Sequence, residues 1–259
     1  NDSKSARFSQ EGYQEAQVAF VKSLTSKPVV SVGRFTSPDT MVSQIKRGVQ
    51  DFIGAARPSI ADPFLPAKIR EGRADEIREC IGCNICRAAN NEAVGLRCTQ
   101  NPTMGEEWRR GWHPERIASY PRREKVLVVG AGPAGLEAAL ALGRRGLEVS
   151  LAEKSRHLGG RILREATLPG LSTWIRVRDW RATMIAKLPN VTVFPESPMT
   201  AADIADFGAD HVVIATGSNW RRDGIGAVNL GPRDFAAALT PDDIFAGAAV
   251  TGPVVIYDD

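Results

Sequence analysis

The run KVLVVGAGPAGLEAALALGRRGLEVSLAE, residues 125–153, limits what this chain can fold into more than any other stretch. Val126 to Val129 form an apolar block that reads as a buried strand, followed at once by Gly130-Ala131-Gly132-Pro133-Ala134-Gly135. An alanine- and leucine-rich helix to about Arg145 comes next, then Gly146 as its C-terminal stop and a second strand, Glu148 to Ala152. G-x-G-x-x-G is weak evidence alone, but between a strand and a helix of one βαβ unit it is a nucleotide-phosphate fingerprint. Gly130 permits the tight turn, Gly132 lets a pyrophosphate approach backbone, and Gly135 brings helix and strand close, leaving the phosphates at the helix N-terminus. Glu153, 23 residues past Gly130, ends the second strand and is placed to accept hydrogen bonds from a ribose hydroxyl. A carboxylate there disfavours a 2′-phosphate, so ADP, FAD or NAD suits the site better than NADP. The competing reading is a glycine turn with a purely structural role.

The cysteines carry a second constraint. Cys80, Cys83, Cys86 and Cys98, the only four in 259 residues, are spaced C-x2-C-x2-C-x11-C. Three thiolates on one short loop, closed by a fourth from another, suit a [4Fe–4S] cluster. Structural zinc, which takes its ligands more often in two separated pairs, is the alternative, and unligated cysteines a third. A disulfide framework does not fit a chain of this length without a secretory signal.

Ahead of the cysteines the pattern alternates. Glu11 to Leu24 has helical periodicity, PVVSV (28–32) is a short strand, Ser37-Pro38-Asp39 is a helix start, and DFIGA (51–55) is a second strand. Such alternation predicts parallel βα units. Gly33-Arg34 follows the first strand and Ala56-Arg57-Pro58 the second. A small residue and an arginine at the carboxyl end of a parallel strand offer backbone N–H groups and charge to an anion, and the last two loops of a (β/α)8 barrel are its usual phosphate site. The predicted architecture is therefore α/β, divided into four parts. Residues 1–70 are the C-terminal part of a TIM barrel, and 71–124 a cysteine segment with a Trp-, Arg- and Pro-rich extended connector. Residues 125–250 are a Rossmann-like ADP- or FAD-binding domain containing the further strand HVVIA (211–215), and 251–259 open a second nucleotide-binding domain with the strand Val254 to Tyr257. Starting at Asn1 and stopping just after that apolar run, the chain reads as an internal piece of a longer polypeptide.

Composition excludes several classes. A net charge of +3 gives no argument for nucleic acid, and no apolar run approaches the ~20 residues of a membrane span. The arginines at 109, 110, 116, 122 and 123, and at 176, 178 and 181, read as solvated basic faces, with Trp180 among the second group as a candidate docking patch for a protein partner. His113, His157 and His211 have no partners at ligand spacing and are expected to be structural or surface residues. An oxygen-sensitive cluster and the lack of an export signal point to the cytoplasm.

The order of parts, with ARPSIADPFLPAKI (56–69), CIGCNIC (80–86), RCTQNPTMGEEWRRGWHPERI (97–117), VLVVGAGPAGLEAA (126–139) and VVIATG (212–217), resembles iron–sulfur flavoproteins related to old yellow enzyme. These include trimethylamine, dimethylamine and histamine dehydrogenases, N-methylproline demethylase-like proteins and 2,4-dienoyl-CoA reductase. The resemblance implies that Cys80, Cys83, Cys86 and Cys98 ligate [4Fe–4S], and that Gly33, Arg34, Ala56 and Arg57 hold the FMN phosphate. It further implies that Gly130, Gly132, Gly135 and Glu153 hold ADP or FAD, with Gly159-Gly160 and Thr216-Gly217 nearby. The x2 gap between Cys83 and Cys86 favours the amine-oxidising branch over the NADPH-dependent reductases, and the 97–117 run is similar to the N-methylproline demethylase-like group. The implied activity is oxidation of a secondary or tertiary N-methylated amine, with electrons leaving FMN through the cluster to an electron-transfer flavoprotein or similar acceptor. A homo-oligomer is compatible with this reading, and the groups facing the substrate are expected on barrel strands outside this chain. The alternatives are an NADPH-dependent enoate reductase or, for the chain by itself, a non-catalytic electron-transfer and nucleotide-binding module.

Overall fold

A computed structural model describes residues 9–228, 230–231 and 238–257. Residues Asn1–Ala215 pack as one compact unit and Thr216–Asp259 as a second. In chain order the helices are α1 (Glu15–Val18), α2 (Val21–Leu24), α3 (Pro38–Lys46), α4 (Ala56–Ala61), α5 (Leu65–Arg70), α6 (Ile85–Asn91), α7 (Glu107–Arg110), α8 (Pro133–Arg144), α9 (Ile162–Glu165), α10 (Arg176–Ala186), α11 (Ala201–Asp206) and α12 (Pro241–Phe245). The strands are β1 (Val30–Ser31), β2 (Phe52–Ile53), β3 (Lys125–Val129), β4 (Glu148–Ala152), β5 (Val191–Phe194) and β6 (His211–Ile214).

Strands β1 and β2 pair in parallel, Val30 opposite Phe52 and Ser31 opposite Ile53, as two barrel strands joined by a crossover helix must. That helix, α3, starts as its sequence predicts, with Ser37 at the N-cap and Pro38 at the first turn. The Ser37 side chain makes no cap bond. Glu11 supplies the acceptor instead, taking the backbone N–H groups of Thr36 and Ser37, each at 3.1 Å. The single helix expected over 11–24 is two short helices, α1 and α2.

The nucleotide unit is a parallel sheet in the order β5-β4-β3-β6. Side chains alternate along β3. Val126 and Val128 face a core with Leu136 and Leu140 of α8, Leu151 of β4 and Trp180 and Ile185 of α10. Leu127 and Val129 face the other side, with Ala152, Met199 and Ile204. A strand enclosed on both faces needs a continuous apolar run, and each buried aliphatic side chain stabilises the layer by about 1.5–3 kcal/mol.

Four expectations are corrected. Trp180 is only 7% exposed; it packs in the core and donates its indole N–H to the Glu76 carbonyl at 2.9 Å, so it is no docking patch. Arg181 is also buried, at 3%, so the basic face read at 176–181 does not exist as such. The connector from 106 to 124 includes the helix α7 and is not uniformly extended. Val254 to Tyr257 form no strand among the described residues, and Val255 is 93% exposed, because an apolar run becomes a strand only where a neighbour takes its backbone hydrogen bonds. Among the described residues no helix is long and apolar enough to cross a membrane.

Candidate functional site

The glycine turn has the predicted geometry. Gly130 takes φ 99°, a left-handed value that favours glycine, and its N–H bonds the Ala152 carbonyl at 2.8 Å. A Cβ on Gly135 would lie 1.8 Å from the Gly130 carbonyl oxygen, so helix α8 and the turn meet where only a hydrogen fits. A Cβ on Gly132, by contrast, would meet nothing within 4 Å. Gly132 is the N-cap of α8, so the open space lies at the positive end of a three-turn helix. The loop carrying Gly159 and Gly160 closes against this turn. Gly159 N–H donates to the Ala131 carbonyl at 2.8 Å, and a Cβ on Gly160 would sit 3.2 Å from the Gly132 Cα. Glu153 directly follows β4, and its carboxylate braces the turn, accepting from Ala131 N–H at 2.7 Å and Ser155 N–H at 2.9 Å. Thr216 and Gly217 open the second unit directly after Ala215 in the chain, and Gly217 takes φ 84°.

At the barrel end, Gly33 is buried and Arg34 adopts a left-handed φ of 58°. Its Nη1 donates to the Ser9 carbonyl, while its Nε is buried with no partner, an orphaned donor. Burial pushes the Arg34 guanidinium down from its ordinary value; Arg57 and Arg176 act the same way, against Glu11 and Cys80. These groups are thus close enough to act on one another. Ala56 is the first residue of α4 and Arg57 the second. Arg57 Nη1 donates to Asn84 Oδ1 at 2.9 Å, which ties the second phosphate candidate to the cysteine loop.

Cys80 and Cys83 lie on one loop, Cys86 in the first turn of α6 and Cys98 on a second loop. All four thiols are free and half-buried. Gly82 N–H donates to Cys80 Sγ and Gln100 N–H to Cys98 Sγ, each at 3.4 Å, and Cys83 Sγ lies 3.1 Å from Thr99 Oγ1. Burial pushes the Cys80 thiol up from 9.0 to about 11, with Cys98 and Cys83 adding to the shift against the Gly82 N–H. Burial, then Cys98 and Cys83, likewise raise Cys86. At Cys80 and Cys86 the surroundings therefore disfavour the thiolate until a cationic group compensates it. Among the described residues no three Cys, His, Asp or Glu side chains converge on a single-ion site. Four thiols are the donor set of a [4Fe–4S] cluster, and also of some structural zinc sites.

Two residues of this region escaped the sequence reading. Asn84, inside the cysteine run, takes φ 62° and receives Arg57; asparagine tolerates that conformation, which was the available signal. Arg176, at the start of α10, donates to the Cys80 carbonyl and to Thr36 Oγ1, both at 3.3 Å, and pairs with Glu79 at 2.6 Å. Nothing in its neighbours along the chain signals this. His211 proves structural, bonded to Glu124 at 2.6 Å.

A barrel end carrying two strand-end arginines, a four-thiol segment and a Rossmann-like domain with a glycine turn, in one chain, point to the class of multidomain flavin oxidoreductases. Residues 1–76 match the NADH:flavin oxidoreductase / NADH oxidase family, and residues 124–245 match pyridine nucleotide-disulphide oxidoreductase. The cysteine loops fall between the two. The chain is similar to dimethylamine dehydrogenase, histamine dehydrogenase and N-methylproline demethylase, each of which it covers only in part. It is 44% identical to dimethylamine dehydrogenase of Hyphomicrobium sp. over 99% of this chain and 37% of that protein. The histamine dehydrogenase structure from Rhizobium sp. 4-9 superposes with a TM-score of 0.89 at 56% identity, covering 94% of this chain and 36% of that one. A 6-hydroxypseudooxynicotine amine oxidase structure from Pseudomonas geniculata N1 gives a TM-score of 0.89 at 54% identity, covering 95% and 37%. The probable N-methylproline demethylase of Rhizobium meliloti, whose group the 97–117 run was read as resembling, is 32% identical. The chain thus spans little more than a third of the length of these relatives.

Proposed function

We propose that this chain is the electron-exit and nucleotide-binding segment of an iron–sulfur flavoprotein that oxidises a small amine, with secondary or tertiary N-methylated amines as its first candidates. The observation that carries the reading is the bonding of the cysteine segment: backbone N–H groups donate to Cys80 and Cys98 Sγ, and Arg57 of the barrel end donates to Asn84 inside the cysteine run. In this reading residues 1–70 complete a barrel, 71–124 carry the cluster, 125–250 bind the adenine nucleotide, and 251–259 begin a further domain. When bound, FMN supplies the hydride acceptor and [4Fe–4S] the one-electron exit, both properties of the cofactors rather than of the chain.

The chain's own residues fit these groups. The orphaned Nε of Arg34, with Arg57, would hold the FMN phosphate beside the backbone of Gly33 and Ala56. Cys80, Cys83, Cys86 and Cys98 would ligate the cluster, the sulfurs of Cys80 and Cys98 already receiving backbone N–H groups. Gly130, Gly132 and Gly135, with Gly160 against them, form the cradle for the ADP or FAD pyrophosphate. Glu153 would keep its two backbone bonds and use its remaining lone pairs for a ribose hydroxyl. The electron acceptor, an electron-transfer flavoprotein or a protein like it, would receive electrons one at a time.

The test is anaerobic reduction of the full-length protein. A secondary or tertiary N-methylated amine is expected to bleach the flavin, and NAD(P)H is expected not to. Bleaching by NADPH alone would move the protein to the reductase branch, where a 2-naphthoyl-CoA reductase also matches this chain, with a TM-score of 0.76 at 31% identity.

A further inference from the structure

The residue that joins the two cysteine loops is not a cysteine. Gln100 is 1% exposed, and every polar group it carries is used. Its backbone N–H donates to Cys98 Sγ at 3.4 Å, its side-chain Nε2 donates to the Glu79 carbonyl at 3.1 Å, and its Oε1 accepts from Arg181 Nη1 at 2.9 Å. The Gln100 carbonyl also accepts from Arg181 Nη2 at 3.4 Å. One side chain therefore fixes the loop of the fourth thiol to the residue next to the first. Arg181, itself 3% exposed, is anchored by Glu137 of α8 at 2.7 Å and by the Val177 carbonyl at 2.9 Å. Asn101, next to Gln100 in the chain and 2% exposed, ties the same loop to the barrel end, donating to the Ile60 carbonyl of α4 at 3.0 Å while its Oδ1 accepts from Thr103 N–H and Oγ1.

We infer that Gln100, held by Arg181, is the positioning residue of the cysteine site: it sets the distance between the Cys98 and Cys80 sulfurs and holds the N–H that points at Cys98. The inference rests on the cluster reading given above. Its physical basis is the cost of the alternative. A buried amide in a low-dielectric surrounding stays where all its hydrogen bonds are made, because any displacement leaves a donor or acceptor unpaired. The guanidinium is a charge on one side of that amide, and its own bonds to two elements of the nucleotide unit keep it from following a wandering loop. Partners outside the ligand shell orient ligands in this manner, and their loss typically lowers metal affinity by about 10–100-fold. Hydrogen bonds to cluster sulfurs also raise the reduction potential. Loosening Gln100 therefore has two signatures, a more labile cluster and a lower potential.

The experiment uses the full-length protein as wild type, Gln100→Met, Gln100→Glu and the control Asn190→Ala. Asn190 Nδ2 donates to the Gly143 and Leu147 carbonyls, at 2.8 and 2.7 Å, holding the turn between α8 and β4. Iron and acid-labile sulfide are assayed, with the rate of cluster loss to excess chelator and the midpoint potential from an EPR-monitored titration. Gln100→Met, similar in volume, is expected to lose its cluster about tenfold faster or more and to have a more negative potential. Gln100→Glu, which keeps the oxygen that Arg181 uses but not the donor to Glu79, is expected to fall between it and wild type. Asn190→Ala is expected to lower Tm while losing its cluster at the wild-type rate. If Gln100→Met does not accumulate, Gln100→Glu decides, and a wild-type rate and potential in it overturn the assignment. The same result in Gln100→Met overturns it, as does equally fast loss from Asn190→Ala, which would show that lability merely follows global stability. A wild type without iron and sulfide defeats the cluster reading itself, a failure distinct from these.

Discussion

Alanine at Gly135 and alanine at Gly132 are the same chemical change three residues apart, and the structure gives them opposite consequences. At Gly135 the new Cβ would lie 1.8 Å from the Gly130 oxygen and 2.9 Å from its carbonyl carbon, with the Ala215 Cβ at 3.3 Å. Ordinary contact begins near 3.4 Å, so something must retreat by more than 1.5 Å, and the obstructing atoms are backbone at the end of β3 rather than a mobile side chain. Overpacking of a core typically costs about 1–3 kcal/mol, and a clash with backbone belongs at the top of that range or above it. For a unit of this size about 3 kcal/mol is a fall in Tm of roughly 6–12 °C. At Gly132 φ is −70°, which alanine adopts readily, and no atom lies within 4 Å of the added methyl. The loss of glycine at an N-cap and the reduced entropy of the unfolded chain roughly offset each other, so Tm should move by no more than about 2–4 °C, the equivalent of 1 kcal/mol. The methyl instead occupies the space offered to a pyrophosphate, and ADP affinity should fall about tenfold or more. Thermal unfolding and calorimetric titration with ADP on both variants are the assay. Wild-type ADP affinity in Gly132→Ala, or a wild-type Tm in Gly135→Ala, would refute the reasoning about the turn.

Three other perturbations have defined outcomes. Cys98→Ser should leave the full-length protein folded but deficient in iron and sulfide; full incorporation would remove Cys98 from the ligand set. Trp180→Ala removes a buried side chain and its bond to Glu76, so it should destabilise the protein by about 3–5 kcal/mol, and unchanged denaturant unfolding would return Trp180 to the surface. Glu15 is held down to about 2 from an ordinary 4.5, first by its hydrogen bonds from Arg47, then by Gln44. A depressed carboxylate contributes stability above its unfolded value and loses it as pH falls through the folded one. The Tm difference between wild type and Glu15→Gln should therefore be largest above 4.5 and shrink toward 2, and a difference that grows on acidification would contradict the sign.

Much of the chain was legible one segment at a time. The limits of β3 and β4 and the course of α8 follow from an apolar block, a glycine turn and a period of 3.6, all local properties. The Ser37-Pro38 helix start and the βα alternation of the barrel end are legible for the same reason. The losses have physical causes. β5 is a short edge strand, Val191–Phe194, whose alternating burial looks like any half-exposed tetrapeptide until β4 is beside it. Val254 to Tyr257 show the converse, an apolar run that is not a strand among the described residues. Trp180 and Arg181 were misread because an arginine-rich helix looks solvated in one dimension. Only packing shows that Arg181 has Glu137 and Gln100 as partners and Trp180 a carbonyl for its N–H.

By itself the sequence determined the kinds of site: four thiols at cluster spacing, glycines where a phosphate must approach backbone, arginines after two parallel strands. Spacing and residue type are enough for that, since each of those features is made by neighbours along the chain. The tertiary structure alone decided which polar groups meet across it. Gln100 and Arg181 are 81 residues apart, and Arg57 and Asn84 are 27 apart. Buried polar groups must be paired, and each partner is chosen by which carbonyl, amide or guanidinium the packed elements bring within reach, a choice not written in either residue's neighbours.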